Sequence, residues 1–189
     1  YLYGFILALP TNAKAGAARL RLAAKVRAVQ GSEAFRFREL VRDIAIEPKR
    51  FAREDIALDS ANTALRSAPD PAKDAQTEVF AKIFKTRDPT ALFALDTMVK
   101  PLGDPWRVTA GFADQRRYLY ANGGVDTSLH GGIDLGAATG TPVLACAPGR
   151  VVFAGDRIVT GNTIVLEHLP SLFSIYMHLS AISVAEGDL

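Results

Sequence analysis

Between Ala18 and Ala28 the even positions Leu20, Leu22, Ala24 and Val26 are apolar, while Arg19, Arg21, Lys25 and Arg27 are charged, with Ala23 the exception. A period of two predicts a strand with one wet face. Ala, Leu, Arg and Lys also suit a helix, but a helix would scatter these charges around its whole circumference. Phe35-Arg36-Phe37-Arg38 alternates in the same way, and residues 41–46 continue a β-like pattern up to Pro48. The apolar run from Tyr1 to Leu9, ended by Pro10, reads as an edge strand. The tail of an export signal would be the competing reading, but the basic n-region is missing. Residues 1–59 are therefore expected to form a small antiparallel β domain.

The period then changes. Asp70 suits an N-cap and Pro71 the first helical position. Ala75, Val79, Phe80, Ile83 and Phe84 follow as one apolar stripe. Asp88-Pro89 repeats the cap signal for a shorter helix through about Leu95, so residues 60–97 are expected to be a helical linker. From about Met98 the chain is rich in Gly, Thr, Val and Pro. Strands are expected over residues 108–110, 132–135, 142–145, 150–154, 163–167 and 173–178, with turns such as Asn122-Gly123-Gly124 and Pro148-Gly149 between them. The expected fold class is mainly β with a helical connector, its third part (98–189) all-β. There is no internal repeat.

Composition narrows the function classes. Apolar residues make up 49% of the 189 residues and charged residues 22%, as in ordinary globular chains. The net charge of +2 is uneven: residues 1–50 carry +6 and the remainder −4. A basic first part suits an anionic surface, or simply a solvated strand face. Nucleic acid is not expected as a partner, because no aromatic platform accompanies the arginines. No stretch approaches eighteen apolar residues, so no transmembrane span is expected. The single cysteine, Cys146, excludes an internal disulfide. It lies in an apolar run and reads as a buried, inert thiol with no local base to activate it.

The candidate chemistry is concentrated in His130-Gly131-Gly132-Ile133-Asp134. Imidazole and carboxylate are ligands that a catalytic Zn²⁺ takes while keeping one position open for water. On an ideal strand, residues four apart lie on one face but about 13 Å apart, whereas zinc bonds are only about 2 Å long. The segment must therefore bend, and Gly131-Gly132 is where bending costs least. His168, at the end of an expected strand, reads as a structural histidine. Asp126 and Asp156 sit in turns, where Asp bonds its own backbone. Arg116 and Arg117 suit either substrate carboxylates or structural acids.

Three further motifs follow the pentapeptide in order: Gly140-Thr141-Pro142-Val143, Gly161-Asn162 and Tyr176-Met177-His178-Leu179. This order resembles the lysostaphin-type (LytM-like) zinc endopeptidases, which cut peptide cross-links in bacterial cell walls. Gly111-Phe112 followed by Arg116-Arg117 is similar to the lead-in before the family's first ligand. The resemblance covers residues 98–189 and implies a LytM-like peptidase domain there, with His130 and Asp134 as zinc ligands. It implies a catalytic role for His178, beside the metal, as general base or oxyanion donor. Arg117, Tyr120, Asn122 and Asn162 are candidates for substrate contact. The His-x-His pair that completes the family's site is absent, which implies a domain incomplete at its C-terminus and a fragment without catalysis, the longer protein being active. The implied substrate is peptidoglycan peptide, the implied place the cell envelope, periplasmic or on the cell surface, with an envelope protein as a possible partner. The alternative is a degenerate, non-catalytic module that binds peptidoglycan or activates a partner hydrolase.

Overall fold

The computed structural model describes residues 8–27, 35–93 and 98–189. The chain divides into two compact units, Tyr1–Ala52 and Arg53–Leu189. In the first unit β1 (Gly16–Arg27) and β2 (Phe35–Ile46) form an antiparallel pair with unbroken register. Arg19 stands opposite Asp43, with Nε 2.7 Å from Oδ1, and Arg21 pairs with Glu39 on the same wet face. Ala18, Leu20, Leu22, Ile44 and Ile46 are half-buried on the other face. The edge strand expected over Tyr1 to Leu9 falls mostly outside the described residues.

The second unit begins earlier than the expected boundary at residue 59. β3 (Arg53–Ala57) pairs in parallel with β5 (Gln115–Leu119), which pairs antiparallel with β6 (Val125–Leu129). Residues 53–57 thus belong with the C-terminal sheet rather than the N-terminal β domain. Arg53-Glu54-Asp55 hides any apolar alternation, and the choice of pairing partner is made in space. The same polarity concealed β5 and β6.

Two helices follow β3. Asp59 caps α1 (Ser60–Ser67) by accepting from the Asn62 N–H at 2.7 Å. The buried Thr63 hydroxyl accepts from Ala121 N–H at 2.9 Å, and Arg66 stacks over Tyr118 while pairing with Asp126. α2 (Pro71–Lys85) has the expected Asp70 cap and initial proline. Its apolar stripe buries Phe80, whose ring packs edge-to-face on Phe153 and Phe84; Phe84 in turn meets Phe173.

Those partners come from an antiparallel sheet of β8 (Arg150–Arg157), β9 (Gly161–Leu169) and β10 (Leu172–Leu179), with β9 central. The core follows from that order: Thr163, Val165 and His168 on β9 have no exposed surface. β4 (Arg107–Ala110) and β7 (Asp134–Gly136) make a separate antiparallel pair. The mainly β architecture with a helical connector is as expected.

Three local expectations are corrected. The helix expected from Asp88 to about Leu95 is a turn at residues 89–90 followed by irregular chain to 93, its tail at 94–95 lying outside the described residues. Asp88 Oδ1 accepts from both the backbone N–H and the hydroxyl of Thr90, while its other oxygen takes Arg150 at 2.6 Å. A side chain so engaged closes a turn and ties it to β8. The strand expected over 142–145 is a single bridge between Val143 and Leu102. The strand expected over 132–135 begins only at Asp134.

Candidate metal centre

β6 and β7 lie in different sheets, and residues 130–133 cross between them outside any strand. This break removes the reach problem posed by a flat strand. His130 exchanges backbone hydrogen bonds with the tight turn 111–114: Ala113 N–H donates to its carbonyl and its own N–H donates to Asp114, both at 2.8 Å. Asp114 Oδ2 accepts from Gly111 N–H at 2.7 Å, and the buried Ala113 sits at φ +65°, which closes the turn. Gly111 O then lies 2.8 Å from His130 Nδ1. A carbonyl can only accept, so Nδ1 carries the hydrogen. The Nε2 edge faces Asp134 Oδ1 at 3.1 Å.

A ring oriented through one nitrogen so that the other points at a cation is the usual arrangement of a ligating histidine. Zn²⁺ held by an imidazole nitrogen and a carboxylate oxygen at about 2.0–2.2 Å would set the donors roughly 3.3 Å apart at the tetrahedral angle. The observed 3.1 Å fits that spacing. His130 is 11% exposed and Asp134 48%, so the pair is fixed on one side and open on the other. Among the described residues no cluster of three or more His, Cys, Asp or Glu side chains surrounds this point.

Asp134 has a second partner that the sequence did not reveal. Its Oδ2 accepts from an Arg116 terminal nitrogen at 2.5 Å. Burial lowers the pKa of this guanidinium, but the hydrogen bond and charge of Asp134, with Tyr118, outweigh burial and raise it. Arg117 pairs through two nitrogens with Asp55, Nε to Oδ1 at 2.9 Å. Both arginines therefore pair with acids. They also border an open cleft of about 720 Å³ over β3, β5 and β6, with Arg53, Asp55 and Thr127.

His178 is exposed on β10, in a different sheet from β7. Between Tyr176 and Leu179 the strand carries one residue more than β9 opposite it, a bulge that re-aims side chains. His178 has φ +58° there and donates its N–H to Thr160 O at 2.9 Å. A non-glycine residue held in the left-handed region is strained, and such positions collect at functional sites. Asn162 Nδ2 donates to Leu179 O at 3.1 Å and so fixes the end of the bulge. Tyr120 Oη lies 3.4 Å from Asp126 Oδ2, and Asn122 Oδ1 accepts from Gly124 N–H within the β5–β6 turn. Asn122 and Asn162 thus each make a bond that holds a turn or a strand end.

His168 is structural, as expected, but wholly buried. Its Nδ1 lies 2.7 Å from Pro148 O and its Nε2 2.8 Å from Ser174 Oγ. Tyr176 Oη accepts from Cys146 N–H at 2.7 Å; burial, then the Cys146 side chain, push its pKa up against the opposing pull of Ser174 and of that N–H. Cys146 is only half-buried, and its Sγ lies 3.9 Å from His168 Nε2. A base does reach the thiol, from β9 rather than from nearby sequence, although Ser174 already occupies that nitrogen.

Comparison with known proteins bears on this region. The profile of Peptidase family M23 matches residues 128–189. The DD-carboxypeptidase/endopeptidase Mpg of Neisseria meningitidis serogroup B is 45% identical over 60 residues, 32% of this chain and 14% of that protein. Peptidoglycan DD-endopeptidase ShyA of Vibrio cholerae is 33% identical over 88 residues, 47% of this chain and 20% of that protein. The matches thus span a fifth or less of either relative. A Pseudomonas aeruginosa crystal structure described as an M23 peptidase shares the fold, with a TM-score of 0.55 at 19% identity over 96% of this chain and 60% of that one. The segment that carries His130, Asp134 and His178 lies within the residues that match Peptidase family M23.

Proposed function

We propose that this chain is part of a zinc-dependent endopeptidase that hydrolyses peptide cross-links of bacterial peptidoglycan. The observation that carries the reading is the His130–Asp134 pair: a ring nitrogen and a carboxylate oxygen 3.1 Å apart, with the other ring nitrogen committed to Gly111 O. Zn²⁺ in such a site supplies Lewis acidity and a water of lowered pKa. His130 Nε2 and Asp134 Oδ1 would hold the ion. His178, exposed at the bulge of β10, would take the proton of the attacking water or donate to the oxygen on which charge develops. A Cβ at Gly131 or Gly132 would meet open space, so these residues leave room for an extended peptide above the pair. Arg117 on the cleft wall suits a substrate carboxylate, with Tyr120, Asn122 and Asn162 as further contacts.

The peptidoglycan substrate is supported by the name of the Vibrio cholerae relative. An envelope location follows from that substrate. Among the described residues no helix is long and apolar enough to cross a membrane.

A non-catalytic module that binds peptidoglycan or activates a partner hydrolase is the second reading. The pair of donors without a third nearby among the described residues favours it, since catalytic zinc takes three protein ligands. Zinc content and wall-lysis activity of a longer protein that contains this chain decide between them. His130→Ala is expected to lose metal and activity, and His178→Ala to keep metal and lose activity. Equal lysis by all three proteins would remove the enzyme reading.

A further inference from the structure

Asp134 offers two oxygens, and the structure assigns them to different partners. Oδ1 faces His130 Nε2, while Oδ2 is held by Arg116 at 2.5 Å. Arg116 comes from β5 and is only 17% exposed. Its Nε is buried without a hydrogen-bond partner, and the carboxylate of Glu54, from the neighbouring β3, stands 3.7 Å from that nitrogen. Glu54 lies opposite Arg116 in the parallel β3–β5 register. Swinging Asp134 so that both oxygens faced a cation would strip a guanidinium with a buried Nε of its hydrogen-bonded counter-charge, which is unfavourable. Glu54 keeps the guanidinium in place by charge alone.

We propose that Arg116, braced by Glu54, is a positioning residue that restricts Asp134 to one-oxygen coordination of the metal. The proposal rests on the metal reading above. It gives β3 and β5 a function although both lie upstream of the matched segment 128–189. Arginine suits the task because its planar fork fixes direction as well as charge.

The test is Zn²⁺ affinity, by competition with a chromophoric chelator, and the visible spectrum of the Co²⁺-loaded protein. Wild type, R116A, R116K, E54Q and E54Q/R116A are compared. R116A and R116K are expected to bind Zn²⁺ about ten- to a hundred-fold more weakly, the range typical of outer-shell partners. Their Co²⁺ bands should weaken as the second carboxylate oxygen enters the coordination sphere. E54Q should lose several-fold in the wild-type background and nothing further on R116A, because partners in one chain are not additive. Unchanged affinity and spectra in R116A and R116K overturn the proposal. Tighter binding by R116A also overturns it, since the guanidinium would then be a competitor. Should R116A fail to fold, R116K and E54Q decide by the same criteria. A wild-type protein that takes up no Zn²⁺ removes the metal reading and this proposal together; wild-type binding with indifferent variants removes only the proposal.

Discussion

His168 Nε2 stands 2.8 Å from Ser174 Oγ, and the ring has no exposed surface. With Nδ1 spent on Pro148 O, this imidazole joins β9, β10 and the 148–149 turn through both nitrogens. His168→Ala would open a cavity and strand two polar partners, and the expected loss is about 2–4 kcal/mol. Denaturant unfolding checks it; a loss under about 1 kcal/mol would show that water replaces the ring at no cost.

The same turn predicts the effect of one methyl group. A Cβ on Gly149 would lie 2.8 Å from His168 Nδ1 and 2.9 Å from Glu167 O, the latter a backbone atom that cannot rotate aside. Gly149→Ala should destabilise by roughly 1–3 kcal/mol through overpacking. At Gly131 and Gly132, where a Cβ meets open space and φ is not positive, alanine should change stability by less than about 1 kcal/mol. Wall lysis by those two variants should nevertheless fall, because the added methyls occupy the substrate's approach. Full lysis would count against a substrate lying over the pair.

His178 separates stability from function. At φ +58° glycine fits and alanine does not. His178→Gly should therefore be more stable than His178→Ala by roughly 1–2 kcal/mol, with both equally inactive. Indistinguishable melting curves would mean that the bulge relaxes when the ring is removed.

Acid stability has a defined window. Thr90 and then Arg150 hold the Asp88 carboxyl at about 2, against 3.8 for the free group. A folded-state pKa below the unfolded one gives stability that is present above the unfolded value and lost as pH falls through the folded value. The contribution should be complete above about pH 5 and be lost progressively down to about pH 1. Asp88→Asn should flatten the melting temperature of the protein across that interval. An unchanged pH profile in the variant would show that other carboxylates control acid unfolding.

Phe80 is the anchor of α2 against β8, 7% exposed and edge-to-face on Phe153 at 5.0 Å. Phe80→Ala should cost about 3–5 kcal/mol, and Phe84→Ala less, because Phe84 is 38% exposed. Equal costs would indicate that Phe84 is more deeply packed in solution.

Local pattern was sufficient where one face of an element is wet and the other dry, or where a cap marks an end. Alternation in β1 and β2, the Asp70-Pro71 start of α2 and the Val/Ile runs of β8 to β10 record such conditions residue by residue. The His-Gly-Gly-Ile-Asp spacing likewise named two side chains that meet at 3.1 Å and required a bend between them. Asp88 misled because the same Asp-Pro signal serves a helix or a turn, and Arg150, 62 residues away, selects the turn.

By itself, then, the sequence determined the mainly β class, the helical connector and the residues of the His130–Asp134 pair. Tertiary structure alone decided that residues 53–57 pair with 115–119, that Gly111 O sets the tautomer of His130, and that Arg116 takes the second oxygen of Asp134. The reason is physical. Amphipathic period and capping are written in neighbours along the chain, whereas strand partners and the outer contacts of a site join groups far apart in sequence, and only folding chooses among them.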